Sequence, residues 1–173
     1  MSAVVSLPAS VQTAASWLQA TAISTTIRES DWVFPAVESV HVIAFVIVVG
    51  SIFVVDLRLL GLASRRRGAA ELTGQLLPIT WSAFAVAAIA GVLLFIAKPV
   101  AYTANAFFLS KLVLLALAGV NMAIFHLFTH ERLAGLPPGG REPAAAKLSG
   151  FASLALWIGI VACGRWIGFT TLG

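Results

Sequence analysis

Glu38, His41, Lys111 and Arg165 are ionisable residues that lie within, or close to the end of, long apolar runs of this 173-residue chain. An ionised side chain in apolar surroundings needs a partner or a ligand, because the loss of its hydration is very costly. A carboxylate, an imidazole and two cations could form buried ion pairs or bind a small anionic or quinone-like ligand. They could also hold haem b, with His41 as the axial ligand and the two cations facing the propionates.

A second set, Asp56, His126 and His130, has the residue types that ligate divalent metals. The two histidines are four residues apart, which places both imidazoles on one face of a helix. The sequence between them, L-F-T, lacks the glutamate that a zinc protease of the H-E-x-x-H type needs, so that enzyme is excluded. The alternative to a metal site is a hydrogen bond from His126 to Asp56, with His130 close to the end of its helix, where the helix dipole favours a cation.

The segments that must position these residues are uncharged over most of their length. The chain is 60% hydrophobic and 10% charged. Four segments are long enough to cross the hydrocarbon core of a bilayer, which takes about 20 helical residues, and in lipid each must form a helix to satisfy its backbone. The spans are predicted at about residues 34–60, 76–97, 105–128 and 144–169. With short connections, they predict an all-α fold, an antiparallel four-helix bundle integral to the membrane.

The first 31 residues are predicted to form a separate segment ahead of the transmembrane domain, 32–173. Val5–Ile27 is uncharged but rich in serine, threonine and glutamine, and its apolar stripe is short. We expect an amphipathic helix on the membrane surface, beginning after Pro8.

The distribution of lysine and arginine predicts the orientation. Seven of these residues flank or occupy the connections after the first and third spans, against three on the opposite side. Positive residues accumulate on the cytoplasmic side, so both termini are predicted to face the periplasm across a bacterial inner membrane. Arg58 is expected to extend its side chain to the cytoplasmic surface. The two sets are Arg58, Arg65, Arg66, Arg67, Arg132, Arg141 and Lys147, and Arg28, Lys98 and Arg165.

Depth along the spans separates the two groups of ionisable residues. His41 and Lys111 fall in the outer half of the membrane, whereas Asp56 and His126 fall in the inner half, about 20 Å away at 1.5 Å per residue. One haem iron therefore cannot take both His41 and His126 as axial ligands. The residues between the two levels are mainly apolar, which disfavours an ion channel.

Several classes of function find no support in the sequence. There is no glycine-rich phosphate loop, no nucleophile elbow and no carboxylate pair, so an enzyme is not favoured. The single cysteine, Cys163, excludes an intrachain disulfide. The net charge of +4 is not gathered on a soluble segment, which argues against nucleic acid binding. The expected partners are the lipid bilayer, a small ligand and a membrane or periplasmic protein.

The chain also resembles a family over nearly its whole length. It resembles an uncharacterised family of small bacterial inner-membrane proteins, described as a domain of unknown function. The resemblance implies a four-helix architecture and no particular activity. The stretches that carry it are W-V-F-P-A-V-E-S-V-H (32–41), D-L-R-L-L-G (56–61), N-A-F-F-L-S-K (105–111), A-G-V-N (118–121) and G-R-W-I-G-F (164–169).

Overall fold

The computed structural model describes residues 5–63, 69–128 and 142–170. These residues form seven helices, which confirms the predicted all-α fold. The helices are α1 (Ala9–Gln19), α2 (Ala22–Glu29), α3 (Val33–Leu59), α4 (Ala69–Ala97), α5 (Pro99–Thr103), α6 (Ala106–Phe128) and α7 (Ala144–Thr170).

Four of these helices, α3, α4, α6 and α7, are long and apolar enough to cross a membrane. Their bounds agree with the predicted spans except that α4 begins several residues earlier, because a helix continues into polar residues that hydropathy leaves out of a span. Large aliphatic side chains on their outward faces are more than half exposed, among them Ile43, Ile89 and Val113. Such a surface suits hydrocarbon rather than water. The protein is therefore a multi-pass membrane protein.

The N-terminal segment is helical as predicted, but it forms two helices rather than one. Thr21 separates them. Its hydroxyl donates to the Leu18 carbonyl at 2.7 Å and accepts from the Ser24 backbone N–H at 3.4 Å. A threonine that caps a new helix in this way ends the preceding one. The position of both helices on the membrane surface remains a prediction.

The chain divides into two compact units. We call Met1–Phe45, Phe84–Leu112 and Val161–Gly173 the first unit, and Val46–Ala83 with Val113–Ile160 the second unit.

In the first unit, short helices and side chains satisfy the ends of the long helices. Ser24, fully buried in α2, donates to the carbonyl of Ala97 at the end of α4, at 3.3 Å. Arg28 donates to the same carbonyl at 3.5 Å, a cation at the negative end of the α4 dipole. Asn105 accepts from the first N–H groups of α6 and donates to Thr170 at the end of α7, at 2.7 Å.

In the second unit, helices approach closely where side chains are small or polar. Ser51 of α3 and Thr80 of α4 share a hydrogen bond at 2.7 Å. Asn121 of α6 donates to the Ser149 carbonyl of α7 at 3.1 Å and accepts from the Ser149 hydroxyl at 3.2 Å. Hydrogen bonds of this kind link membrane helices that have no hydrophobic drive to associate. A small apolar core lies beside them, formed by Val55, Leu59, Phe125 and Ala146.

Candidate functional site

His41 links two helices of the first unit. Its Nδ1 lies 2.8 Å from the backbone carbonyl oxygen of Ala87 in α4. A carbonyl can only accept, so Nδ1 carries the proton and donates, and Nε2 keeps its lone pair in the neutral ring. Nε2 has no hydrogen-bond partner among the described residues. This tautomer, fixed by a backbone carbonyl, is the one that leaves Nε2 ready for a ligand.

A glycine and a phenylalanine fix the imidazole in place. A Cβ on Gly91 would lie 3.1 Å from Cε1 of His41 and 3.3 Å from its Nδ1, so the absence of a side chain leaves room for the ring. Phe45, one turn along α3, stacks with the imidazole at a centroid distance of 6.0 Å and an angle of 15°. His41 is consequently held in one orientation.

Lys111 reaches the same phenylalanine from α6. Its Nζ lies 5.0 Å from the centroid of the Phe45 ring and 3.6 Å from where a Cβ on Gly164 of α7 would be. The ammonium makes a cation–π contact, which leaves N–H donors unused. In the part of the chain that the structure describes, it has neither a hydrogen bond nor an ion pair. Lys111 therefore has both charge and donors available for a ligand.

The other two residues of the predicted group lie apart from Lys111. Glu38 is exposed and forms no ion pair with any described residue, although its charge acts on His41. Arg165 is also exposed, and its guanidinium lies 4.6 Å over the ring of Phe169, one turn along its own helix. The predicted buried ion pairs of Glu38 with Lys111 or Arg165 are thus wrong. The reason is geometric: both residues are close to helix ends, where a side chain can turn outward instead of into the bundle.

Tyr102 in α5 lies outside the spans, in contact with aromatic rings. Its ring centroid is 5.2 Å from that of Phe108 and 6.4 Å from that of Phe95. Burial raises the pKa of the Tyr102 phenol above its ordinary value, and the negative charge of Glu38 raises it further. Glu38 thus acts electrostatically on both Tyr102 and His41.

The second predicted group is not assembled in the described structure. Asp56 is buried, and its carboxylate accepts a hydrogen bond from Ser153 rather than the predicted one from His126. His126 donates from Nδ1 to the Met122 carbonyl of its own helix at 3.0 Å. His130 lies outside the described residues. No group of three or more metal-ligating side chains occurs among the residues that are described.

A buried ion pair in the second unit was not predicted. Arg58 and Glu142 are 3% and 8% exposed and form a direct ion pair between α3 and the segment ahead of α7. The expectation that Arg58 would extend to the surface is therefore wrong, because a buried carboxylate lies within its reach. The signal available in the sequence was Glu142 itself, an acid just before a span at the same membrane end as Arg58.

The comparisons with known proteins identify a family without an activity. No curated protein and no solved structure was found to match this chain. A family of unknown function, DUF6644, matches residues 17–170, which include the four spans and all of the site residues discussed above. The protein therefore belongs to DUF6644, as the resemblance in its sequence had indicated.

Proposed function

We propose that this protein is a non-enzymatic component of the bacterial inner membrane that binds a small ligand between His41 and Lys111. The observation that carries the proposal is the hydrogen bond from His41 Nδ1 to Ala87, which leaves Nε2 unpartnered at a fixed position. In apolar surroundings, a polar atom without a partner is costly unless a ligand satisfies it.

The two side chains define the chemistry of the ligand. Nε2 of His41 accepts a hydrogen bond or ligates a metal ion, and Lys111 donates to an acceptor or pairs with a negative charge. A quinol head group has both kinds of group on one ring, since each of its hydroxyls can donate and accept. In the same proposal, both termini face the periplasm, as the distribution of positive residues favours.

Titration of the purified protein with a short-chain ubiquinol tests this function. The nitrogen NMR signals of the three histidines report binding, and we expect the His41 signals to shift. Lys111→Met should weaken binding about tenfold, the equivalent of roughly 1.4 kcal/mol. Lys98→Met is the matched control, because the Lys98 ammonium also lies over a phenylalanine, 4.7 Å from the Phe34 centroid, but outside the spans. Equal affinity in all three proteins would contradict the proposal.

Haem b is the second candidate for the same site. The tautomer of His41 favours it, since an axial histidine typically donates its other N–H to a carbonyl or carboxylate. We expect a Soret band after expression with haem supplied, lost in His41→Ala and kept in His126→Ala. A colourless preparation would exclude haem while leaving the small-ligand proposal to its own titration.

A further inference from the structure

Asp56 of α3 is a buried carboxylate with one oxygen unused. The residue is 4% exposed. The carboxylate accepts a hydrogen bond from the Ser153 hydroxyl of α7, but Oδ2 has no hydrogen-bond partner. An ionised carboxylate with an unsatisfied oxygen is very unfavourable within a transmembrane helix.

The protein around Asp56 is closely packed and apolar. A Cβ on Gly150 of α7 would lie 3.2 Å from the Asp56 backbone carbonyl oxygen, so the α3 and α7 backbones approach closely there. One turn further along α3, Leu59 packs with the apolar side chains of Phe125 and Ala146. These side chains supply neither a charge nor a hydrogen-bond donor to the carboxylate.

The charges around Asp56 do not neutralise it. The buried charged side chains of the described residues are Asp56, Arg58 and Glu142. Arg58 and Glu142 pair with each other, so their charges cancel. The elements packed against Asp56 also carry His126 and Lys147, and Asp56 forms an ion pair with no described residue. Among the described residues, an ionised Asp56 would therefore have no ion-pair partner.

We propose that Oδ2 of Asp56 takes up a proton from the aqueous phase and holds it at neutral pH. The proton converts the side chain to a neutral carboxylic acid, with the Ser153 hydrogen bond retained. It removes the uncompensated charge, and this site is independent of the ligand proposed at His41.

Infrared difference spectroscopy of the protein in lipid at neutral pH tests for this proton. Subtraction of the Asp56→Asn spectrum isolates the Asp56 carboxyl, since asparagine keeps the shape and an acceptor for Ser153. A carbonyl band of a protonated acid that shifts in heavy water identifies the proton.

Two further variants make the assignment specific. Ser153→Ala should shift the Asp56 band, because it removes the hydroxyl bonded to the carboxyl group. Glu71→Gln, which changes an exposed acid of α4, should leave the band unchanged. An ionised Asp56 band at neutral pH would overturn the proposal.

Discussion

At the residue scale, His41 and His126 both donate a hydrogen bond from Nδ1, but the accepting carbonyl groups lie in different places. His41 donates to Ala87, 46 residues away on another helix, whereas His126 donates to Met122 within its own turn of helix. A bond between helices fixes the ring relative to the rest of its unit. This bond between helices supports His41 as the candidate ligand residue.

Substitution of Gly91 by alanine should disturb His41. The new methyl group would lie 3.1 Å from Cε1 of the ring, which must then shift and weaken its bond to Ala87. We expect a loss of about 1–3 kcal/mol, typical of overpacking, measured by reversible unfolding in mixed micelles. Gly50→Ala is the control, because a Cβ there meets nothing within 4 Å, and it should be neutral or slightly stabilising. Equal effects of the two substitutions would contradict this account of Gly91.

The pKa of Tyr102 reports the effect of the Glu38 charge. It is the sole tyrosine of the chain, so tyrosinate absorbance reports it alone. The phenol should titrate above its ordinary pKa, and Glu38→Gln should lower the midpoint part of the way, because burial is the larger cause and remains. Since the folded-state pKa is raised, the associated stability is present below the unfolded pKa and is lost as the pH rises through the folded one. An unchanged midpoint in Glu38→Gln would show that the charge does not reach Tyr102.

At the element scale, α3 supplies the chemistry of both units. It contributes His41 to the first unit and Asp56 and Arg58 to the second. Gly61, with φ of 75°, adopts the left-handed conformation just past the end of α3, in which glycine is favoured. Arg58, in the last turn before it, anchors this end of α3 to the segment that leads into α7.

A double-mutant cycle on Arg58 and Glu142 tests that anchor. Removal of one partner leaves the other charge buried, so Arg58→Leu or Glu142→Gln alone should cost about 3–5 kcal/mol of unfolding free energy. The double variant should cost much less than the sum. Arg28 and Glu29, 3.5 Å apart with the Glu29 side chain exposed, are the control pair, and their coupling energy should be about 1 kcal/mol or less. Additive losses at Arg58 and Glu142 would contradict a coupled pair.

At the scale of the whole molecule, the predicted orientation in the membrane rests on the distribution of charge. Seven positive residues lie in or beside two of the connections, and three lie on the opposite side. The membrane insertion machinery and the surface potential both favour keeping the larger group in the cytoplasm. This orientation decides from which side of the membrane a ligand reaches His41 and a proton reaches Asp56.

Cysteine labelling tests this orientation. In a Cys163→Ala background, which has no other cysteine, Ser6→Cys should react with a membrane-impermeant maleimide in intact spheroplasts. Glu71→Cys, at an exposed position in the first turn of α4, should react only after the membrane is disrupted. The opposite pattern would place both termini in the cytoplasm.

The sequence by itself determined the four spans and the family. Runs such as the one that contains Val46, Ile47 and Val48 must be helical in lipid, because no water is available there to satisfy the backbone. It also identified His41 and Lys111 as polar residues at one level, since depth follows from position along a helix. The break at Thr21 was missed, because several small polar residues of this segment could cap a helix, and the sequence does not show which of them does.

The tertiary structure alone decided which side chain meets which. Glu38 shares a helix face with the buried Asp56, yet it is exposed, while Arg58, on the opposite face of α3, turns inward to Glu142. Long side chains reach several ångströms in more than one direction, so the angle of a residue around its helix does not fix where its charge lies. That choice depends on which partners and gaps the neighbouring helices provide, such as the space left by Gly91 beside His41.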